Sequence, residues 1–221
     1  MLDINNASYG SELILFADDT NIFIKSHSKQ GAYEKANIVL EKLHNYTRLN
    51  KLHINIEKSC FMYFTKSGTN HIADDEIDLL LIMIGTDEIE KVSETKFLGV
   101  IIDENLSWDA HIKSLTKKLA SCTGSINQIM ASIPESLYID LYHTLFESYL
   151  SYGITVWASI SDTKLHKLFL AQKKIVRILF GDREKFLDKF KTSARSRPYP
   201  FQKLTAKFYT KEHSKPLLKT K

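Results

Sequence analysis

LILFADDTNIFI, residues 13–24, is the stretch whose reading decides the fold. Two runs of aliphatic, aromatic and β-branched residues, LILFA (13–17) and TNIFI (20–24), meet at Asp18-Asp19. Runs of this kind on either side of a two-residue polar break form the pattern of a β-hairpin. The break itself is chemically odd. Adjacent carboxylates repel each other, and folding alone would favour Asn-Gly or Asp-Gly at a tight hairpin turn. A divalent cation offsets the repulsion, and magnesium, a hard ion, suits one or two carboxylates together with phosphate oxygens. The plain alternative is that Asp-Asp is a solvated turn. The flanks weigh against it, because a merely polar turn would not require LILFA before it and TNIFI after it.

Working outward, residues 30–50 place Ala36, Val39, Leu40, Leu43 and Tyr46 at helical spacing. β-type runs follow at 59–65 (SCFMYFT), 79–84 (LLLIMI), 89–92 and 96–102 (KFLGVII), separated by turn signals such as Lys66-Ser67-Gly68 and Gly85-Thr86. Strand–strand–helix–strand with further strands reads as α+β. Beyond residue 108 the period becomes helical. Ile112, Leu115, Leu119, Ile126 and Ile129 predict one long helix with Ser107 as its N-cap. Pro134 suits the first position of a second helix, with the stripe Leu137, Leu141, Leu145 and Tyr149. Ser161 or Asp162 caps a third, with Leu165, Leu168, Phe169, Ile175, Val176 and Leu179 inward and Gly181 as its stop. Three amphipathic helices joined by short links predict a small bundle. From Asp182 the chain turns rich in Lys, Arg, Ser and Pro, and its end, KPLLKTK, reads as truncated.

Charge divides at the same place. Residues 1–108 hold 10 Lys and Arg against 17 Asp and Glu; residues 109–221 hold 20 against 9. A basic half beside an acidic half fits a polyanion on one side and cations on the other, although solvated lysine-rich helices give the same balance. Apolar residues make up 43% of the 221 and charged ones 25%, the balance of an ordinary folded domain rather than a disordered chain. No apolar run approaches the length of a membrane-spanning helix, and MLDINNASYG lacks the pattern of a secretory signal. Cys60 and Cys122 are too sparse for a metal knuckle or a disulfide framework, and are expected as buried, reduced thiols in an intracellular protein. The histidines show no zinc-ligand spacing; neither His44 with His53 nor His111 with His143 is arranged for it.

Four blocks carry a family resemblance. LILFADDTNIFI resembles motif C, the catalytic hairpin, of reverse transcriptases from non-long-terminal-repeat retrotransposons, including the jockey-like elements. LNKLHINIEKSCFMYFT resembles their motif D, with Asn55 and Lys58 at its distinctive positions. ETKFLGVIIDENLSWDAHI resembles motif E and the approach to the thumb. LYHTLFESYLSYGITVW and LHKLFLAQKKIVRILFG resemble the thumb and the region after it. The blocks come in order, which is more specific than any one of them. The resemblance implies a partial polymerase palm, antiparallel hairpins plus one helix, over residues 1–108. An all-α thumb bundle would span 109–181 and a basic extension 182–221.

It also implies roles. Asp18 and Asp19 match the carboxylates that hold Mg2+ (or Mn2+) in a two-metal nucleotidyl transfer. Lys58 matches a proposed general acid for the leaving pyrophosphate, where an ammonium also neutralises phosphate charge; a plain surface lysine is the alternative. Lys96, Phe97, Leu98 and Gly99 match the primer-grip turn, and glycine permits close backbone approach. Phe97 and Leu98 fit the core equally well, and for Leu98 the core is the preferred reading. Lys113, Lys117, Lys118, Lys173, Lys174 and Arg177 are candidates for phosphate contact with a template–primer duplex without base readout. Trp108 and Trp157 read as core or seam residues rather than stacking platforms.

The implied activity is RNA-directed DNA polymerisation, with an RNA template, a DNA primer and deoxynucleotides as partners, no membrane, and the nucleus as the place of work. The family's motif A aspartate and glycine-rich motif B have no counterpart ahead of Asp18, where Asp3 is the sole aspartate. The polypeptide by itself is therefore expected to bind magnesium weakly and polymerise little. A non-catalytic nucleic-acid-binding module is the alternative, and an unrelated interaction protein a third. The ribbon at 13–24 is also expected to leave a hydrophobic sheet edge exposed.

Overall fold

A computed structural model describes residues 11–64 and 80–181. The expected turn at Lys66-Ser67-Gly68, the outer ends of the runs at 59–65 and 79–84, and the basic extension from 182 lie outside the described residues. The chain divides into two compact units, residues 1–95 and 96–221. Both helix and strand are present, so the α+β class holds at that level.

In the first unit, β1 (Glu12–Phe16) and β2 (Asp19–Phe23) form an antiparallel ribbon in which Phe16 pairs with Asp19 and Leu13 with Ile22. The turn is thus Ala17-Asp18, one residue earlier than the expected Asp18-Asp19. α1 (Lys29–Leu49) begins at Ser28, whose side chain accepts the Gly31 N–H, as an N-cap hydroxyl should. Its buried face, Tyr33, Ala36, Val39, Leu40 and Leu43, is the predicted stripe with Tyr33 added and Tyr46 only half-buried. Ile82, Ile84 and Ile89 close this core, with Ile22, Ile24 and Phe61 packed on its margin. Asn37 fastens the helix to that layer: its amide donates to the Leu81 carbonyl and its oxygen accepts the Met83 N–H.

The remaining strands are short. β3 (Cys60–Phe61) pairs in parallel with β6 (Glu90–Lys91), and β4 (Met83–Ile84) in antiparallel with β5 (Asp87–Glu88). The parallel pair departs from the all-hairpin expectation. Cys60 is exposed and Cys122 half-buried, so the expectation of two buried thiols fails for Cys60 and is met only in part by Cys122. The first falls on a two-residue strand whose outer side nothing covers among the described residues.

In the second unit, β7 (Glu94–Phe97) and β8 (Val100–Asp103) form a hairpin, with the division between units falling inside β7. The expected continuous run 96–102 is broken at Leu98-Gly99, where both residues have positive φ, 44° and 85°. Three long elements make the core: α2 (Asp109–Ile129), a helical stretch from α3 (Tyr138–Leu141) through a π-helical turn (Tyr142–Glu147) to α4 (Ser148–Ser151), and α6 (Asp162–Phe180). A short α5 (Ile154–Trp157) links the last two. Trp157, Tyr142, Phe146, Leu119, Ile126, Leu150, Leu168 and Ile175 are fully buried. Trp157 is thus the core residue expected, and Trp108 packs on the margin of the same core.

Two expectations need correction. The middle helical stretch buries Tyr142, Phe146 and Leu150, whereas Leu137, Leu145 and Tyr149 of the predicted stripe are exposed. The π turn carries an extra residue, which shifts the apolar face. Pro134 is extended (ψ 146°) and precedes a 3-10 turn rather than opening an α-helix. No helix among the described residues is long and apolar enough to cross a membrane.

Candidate active site and nucleic-acid interface

The tip of the β1–β2 ribbon is built by register. Because strand side chains alternate and Phe16 faces Asp19, one face carries Ile14, Phe16, Asp19, Asn21 and Phe23, and the other Leu13, Leu15, Thr20 and Ile22. Ile22 leans on the α1 core, while Ile14, Leu15, Phe16 and Phe23 stay exposed. The ribbon has no third strand among the described residues, so the expected exposed hydrophobic edge is present. Ala17 adopts φ 52°, a left-handed conformation that glycine reaches at lower energy. That strain puts Asp18 at the apex and Asp19 at the first rung of β2. Both carboxylates are exposed, and among the described residues neither is in an ion pair.

Lys58 closes a single 3-10 turn, Ile56–Lys58, opened by Asn55, whose side-chain oxygen accepts the Lys58 N–H at 3.2 Å. Asn55 therefore acts on the backbone of Lys58, and the Lys58 side chain projects from an exposed position. Among the described residues no interaction brings it to either aspartate. As to a divalent cation, two adjacent carboxylate groups without partners among the described residues are the hard oxygen donors such an ion takes, and they fit part of its ligand set. Among the described residues no group of three or more His, Cys, Asp and Glu completes it.

In the second unit, Lys96 is exposed and Gly99 sits in the turn with φ 85°. Leu98 is 37% exposed rather than a core residue, because a two-residue turn with positive φ throughout turns it outward. Lys113, Lys117 and Lys118 are exposed on α2, as are Lys174 and Arg177 on α6. Lys173 is half-buried, its ammonium 6.0 Å from the centre of the Phe169 ring.

Several residues that order this surface were not singled out by pattern. Asp103 accepts hydrogen bonds from the backbone N–H groups of Asn105, Ser107 and Trp108 and from the Ser107 hydroxyl. Desolvation opposes ionisation there, but these donors outweigh it and hold the Asp103 carboxyl below the usual 3.8. The N-cap position of α2 is Trp108, at φ 65°, rather than Ser107, although the Ser107 hydroxyl still accepts the Asp109 N–H. Lys164 of α6 ties this corner down through the Ser107 carbonyl (2.6 Å) and Asp109 (3.0 Å). The hydrogen bond from Lys164 also lowers the Asp109 carboxyl. An aspartate followed by Asn and Ser at two and four residues is the signal that would have exposed this turn.

His111 accepts the Ile101 N–H at Nδ1 (3.3 Å), which places its proton on Nε2. Nε2 is buried without a partner among the described residues, and burial first, then Lys118, lowers the His111 pKa below 6.5. His143 and Glu147 pair across the π turn, and Gln172 donates to the Tyr142 hydroxyl at 2.7 Å.

Comparison with known proteins fits this geometry. Residues 1–102, which hold the ribbon, the Lys58 turn and the β7–β8 turn, match the family model of reverse transcriptase (RNA-dependent DNA polymerase). Three relatives narrow the class. The probable RNA-directed DNA polymerase from transposon X-element of Drosophila melanogaster is 21% identical over 177 residues, 78% of this chain and 19% of that protein. The RNA-directed DNA polymerase from mobile element jockey of Drosophila funebris is 26% identical over 170 residues, 75% of this chain and 18% of that protein. The retrovirus-related Pol polyprotein from type-1 retrotransposable element R1 of Bradysia coprophila is 24% identical over 152 residues, 67% and 14% respectively. The chain is similar to the reverse transcriptases of non-long-terminal-repeat retrotransposons. It spans less than a fifth of the length of these relatives. No solved structure matches it at the same stringency.

Proposed function

We propose that residues 1–108 are the later part of the palm, and 109–181 the thumb, of a retrotransposon RNA-directed DNA polymerase. The observation that carries this reading is the ribbon tip, where a strained left-handed Ala17 holds two exposed carboxylates, without an ion pair among the described residues, at the end of an apolar hairpin. Strain and charge repulsion kept at one turn serve a site better than they serve a fold. Asp18 and Asp19 hold the divalent cations, magnesium or manganese. When bound there, those ions supply activation of the primer 3′-hydroxyl and charge neutralisation at the leaving pyrophosphate. Lys58 donates a proton to that leaving group, Lys96 and Gly99 meet the primer backbone, and the exposed cations of α2 and α6 contact phosphates of the RNA–DNA duplex.

The 221-residue polypeptide on its own incorporates no nucleotide, because the two carboxylates, with no third ligand grouped beside them among the described residues, leave a two-metal site short of ligands. Primer extension on a homopolymer RNA template with magnesium or manganese tests this. Incorporation that disappears in Asp18→Ala would support the metal role and overturn the inactivity. A second reading, a non-catalytic nucleic-acid-binding module, is favoured by the same ligand count together with the exposed lysines of α2. Retention of an RNA–DNA hybrid on a filter should fall steeply with salt, and more gently once Lys113, Lys117 and Lys118 are all alanine. Retention that ignores salt would dispose of both readings of the helices.

A further inference from the structure

The Leu98–Gly99 turn is held from outside, by residues more than fifty positions further along the chain. The Tyr152 hydroxyl donates to the Leu98 carbonyl at 2.5 Å, and its ring lies against Gly99, where an added Cβ would be 3.0 Å from a ring carbon. Next to it, Gly153 (φ 62°) backs onto β8, and a Cβ there would come within 2.9 Å of a Val100 methyl. Trp157, fully buried, fixes the other side by donating its indole N–H to the Tyr152 carbonyl at 2.9 Å. The Trp157 ring also packs on His111, which accepts the Ile101 N–H of the same hairpin. Tyr152 itself is 56% exposed, too open for its main contribution to be buried area.

We infer that Tyr152 is a positioning residue that locks the Leu98–Gly99 turn, and with it Lys96, in the arrangement that receives a primer strand. This rests on the reading of that turn as a primer contact. A two-residue turn with positive φ at a leucine is strained. A strained turn presents its backbone reproducibly only if something outside it fixes the geometry. The Tyr152 hydrogen bond and the Gly99–ring contact supply that, while Gly153 permits the approach that brings Tyr152 over the turn.

The test uses the full chain and two readouts. Tyr152→Phe keeps the ring and removes only the hydroxyl. Amide exchange at residues 97–100 should accelerate roughly tenfold, the loss of one hydrogen bond of ordinary strength, with protection in α2 and α6 unchanged. Unchanged exchange at 97–100 would overturn the locking role. The second readout uses a DNA primer ending in a periodate-oxidised ribonucleotide, annealed to an RNA template. Its aldehyde condenses with a lysine amine, water leaves, and cyanoborohydride reduces the imine to a stable link. With protein in saturating excess, so that weaker binding leaves the duplex fully bound, wild type should trap Lys96, and Tyr152→Phe should lower that yield several-fold while trapping at α2 lysines stays level. If exchange responds to the hydroxyl but no Lys96 adduct forms in wild type, the primer reading of the turn fails. Equal Lys96 trapping in both proteins would show that the lock does not serve the primer.

Discussion

Replacing Asp103 by alanine should cost the second unit about 2–4 kcal/mol of stability, an amount that follows from where its oxygens point. One carboxylate oxygen accepts the N–H groups of Asn105 (3.2 Å) and Ser107 (2.9 Å); the other accepts the Trp108 N–H (2.9 Å) and the Ser107 hydroxyl (3.2 Å). Hydrogen bonds to a charged acceptor contribute about 1.5–3 kcal/mol each when isolated. Solvent reaches this carboxylate and the four donors share it, so the total stays well below four full bonds. The two 2.9 Å contacts carry most of it, because they satisfy the backbone where the chain reverses through Trp108 (φ 65°) into α2. Asp103→Asn keeps one carbonyl oxygen and should recover about half of the loss. The sign with pH is also fixed. A carboxyl held below 3.8 contributes stability above that value, and the contribution disappears as pH falls through the folded-state value. Urea unfolding followed by helical circular dichroism measures all three proteins. An Asp103→Ala midpoint within about 0.5 kcal/mol of wild type would refute the idea that this carboxylate starts the helix.

Three further outcomes can be checked on the same samples. His111 is buried with its pKa below 6.5, so the unfolded chain takes up its proton first. Stability should be complete above about 6.5 and fall as pH drops below it, by at most about 1.4 kcal/mol per pH unit, and His111→Asn, which keeps an acceptor near Ile101, should flatten that slope. Phe146→Ala should cost about 3–5 kcal/mol, whereas Leu145→Ala, one residue away and 40% exposed, should stay under about 1 kcal/mol; equal losses would mean the π-turn register is wrong. Gly153→Ala should destabilise the second unit by about 1–3 kcal/mol through the Val100 clash and its φ of 62°, seen as a lowered urea midpoint.

The sequence and the structure agree where one periodicity dominates. α1 and α6 each carry a single apolar stripe, and both the faces and the Gly181 stop were legible. Between 137 and 157 apolar residues lie all round the helical stretch. Leu137, Leu141, Leu145 and Tyr149 repeat as regularly as Tyr142, Phe146 and Leu150, so spacing alone cannot choose the inner set. The π turn makes that choice in three dimensions. The two turns slipped for a related reason: left-handed backbone at Ala17 and Leu98 is set by strand pairing, not by a preference of alanine or leucine. The hairpin that bears the acidic pair was legible because its two apolar flanks alternate as strands on either side of a polar break. Asp103, Tyr152 and Gly153 were not, since their partners are a turn already misplaced or residues more than fifty positions away.

Those unforeseen residues matter because they join pieces that the proposed function uses separately. Asp103 ends β8 and fixes the first turn of α2, the helix that bears Lys113, Lys117 and Lys118. His111, on the first turn of α2, holds β8 through the Ile101 N–H, and Tyr152 holds the turn between β7 and β8. Trp157 contacts both His111 and Tyr152. The exposed turn and the basic face of α2 are therefore parts of one rigid body rather than two mobile segments. A duplex lying on that body would meet the turn and the lysines at a fixed spacing, so each contact raises the effective concentration of the next. Loosening the hairpin at Tyr152 should then weaken binding even though no phosphate contact has been removed. It should leave the slope of affinity against salt unchanged, because that slope counts cations engaged and not the stiffness of what carries them.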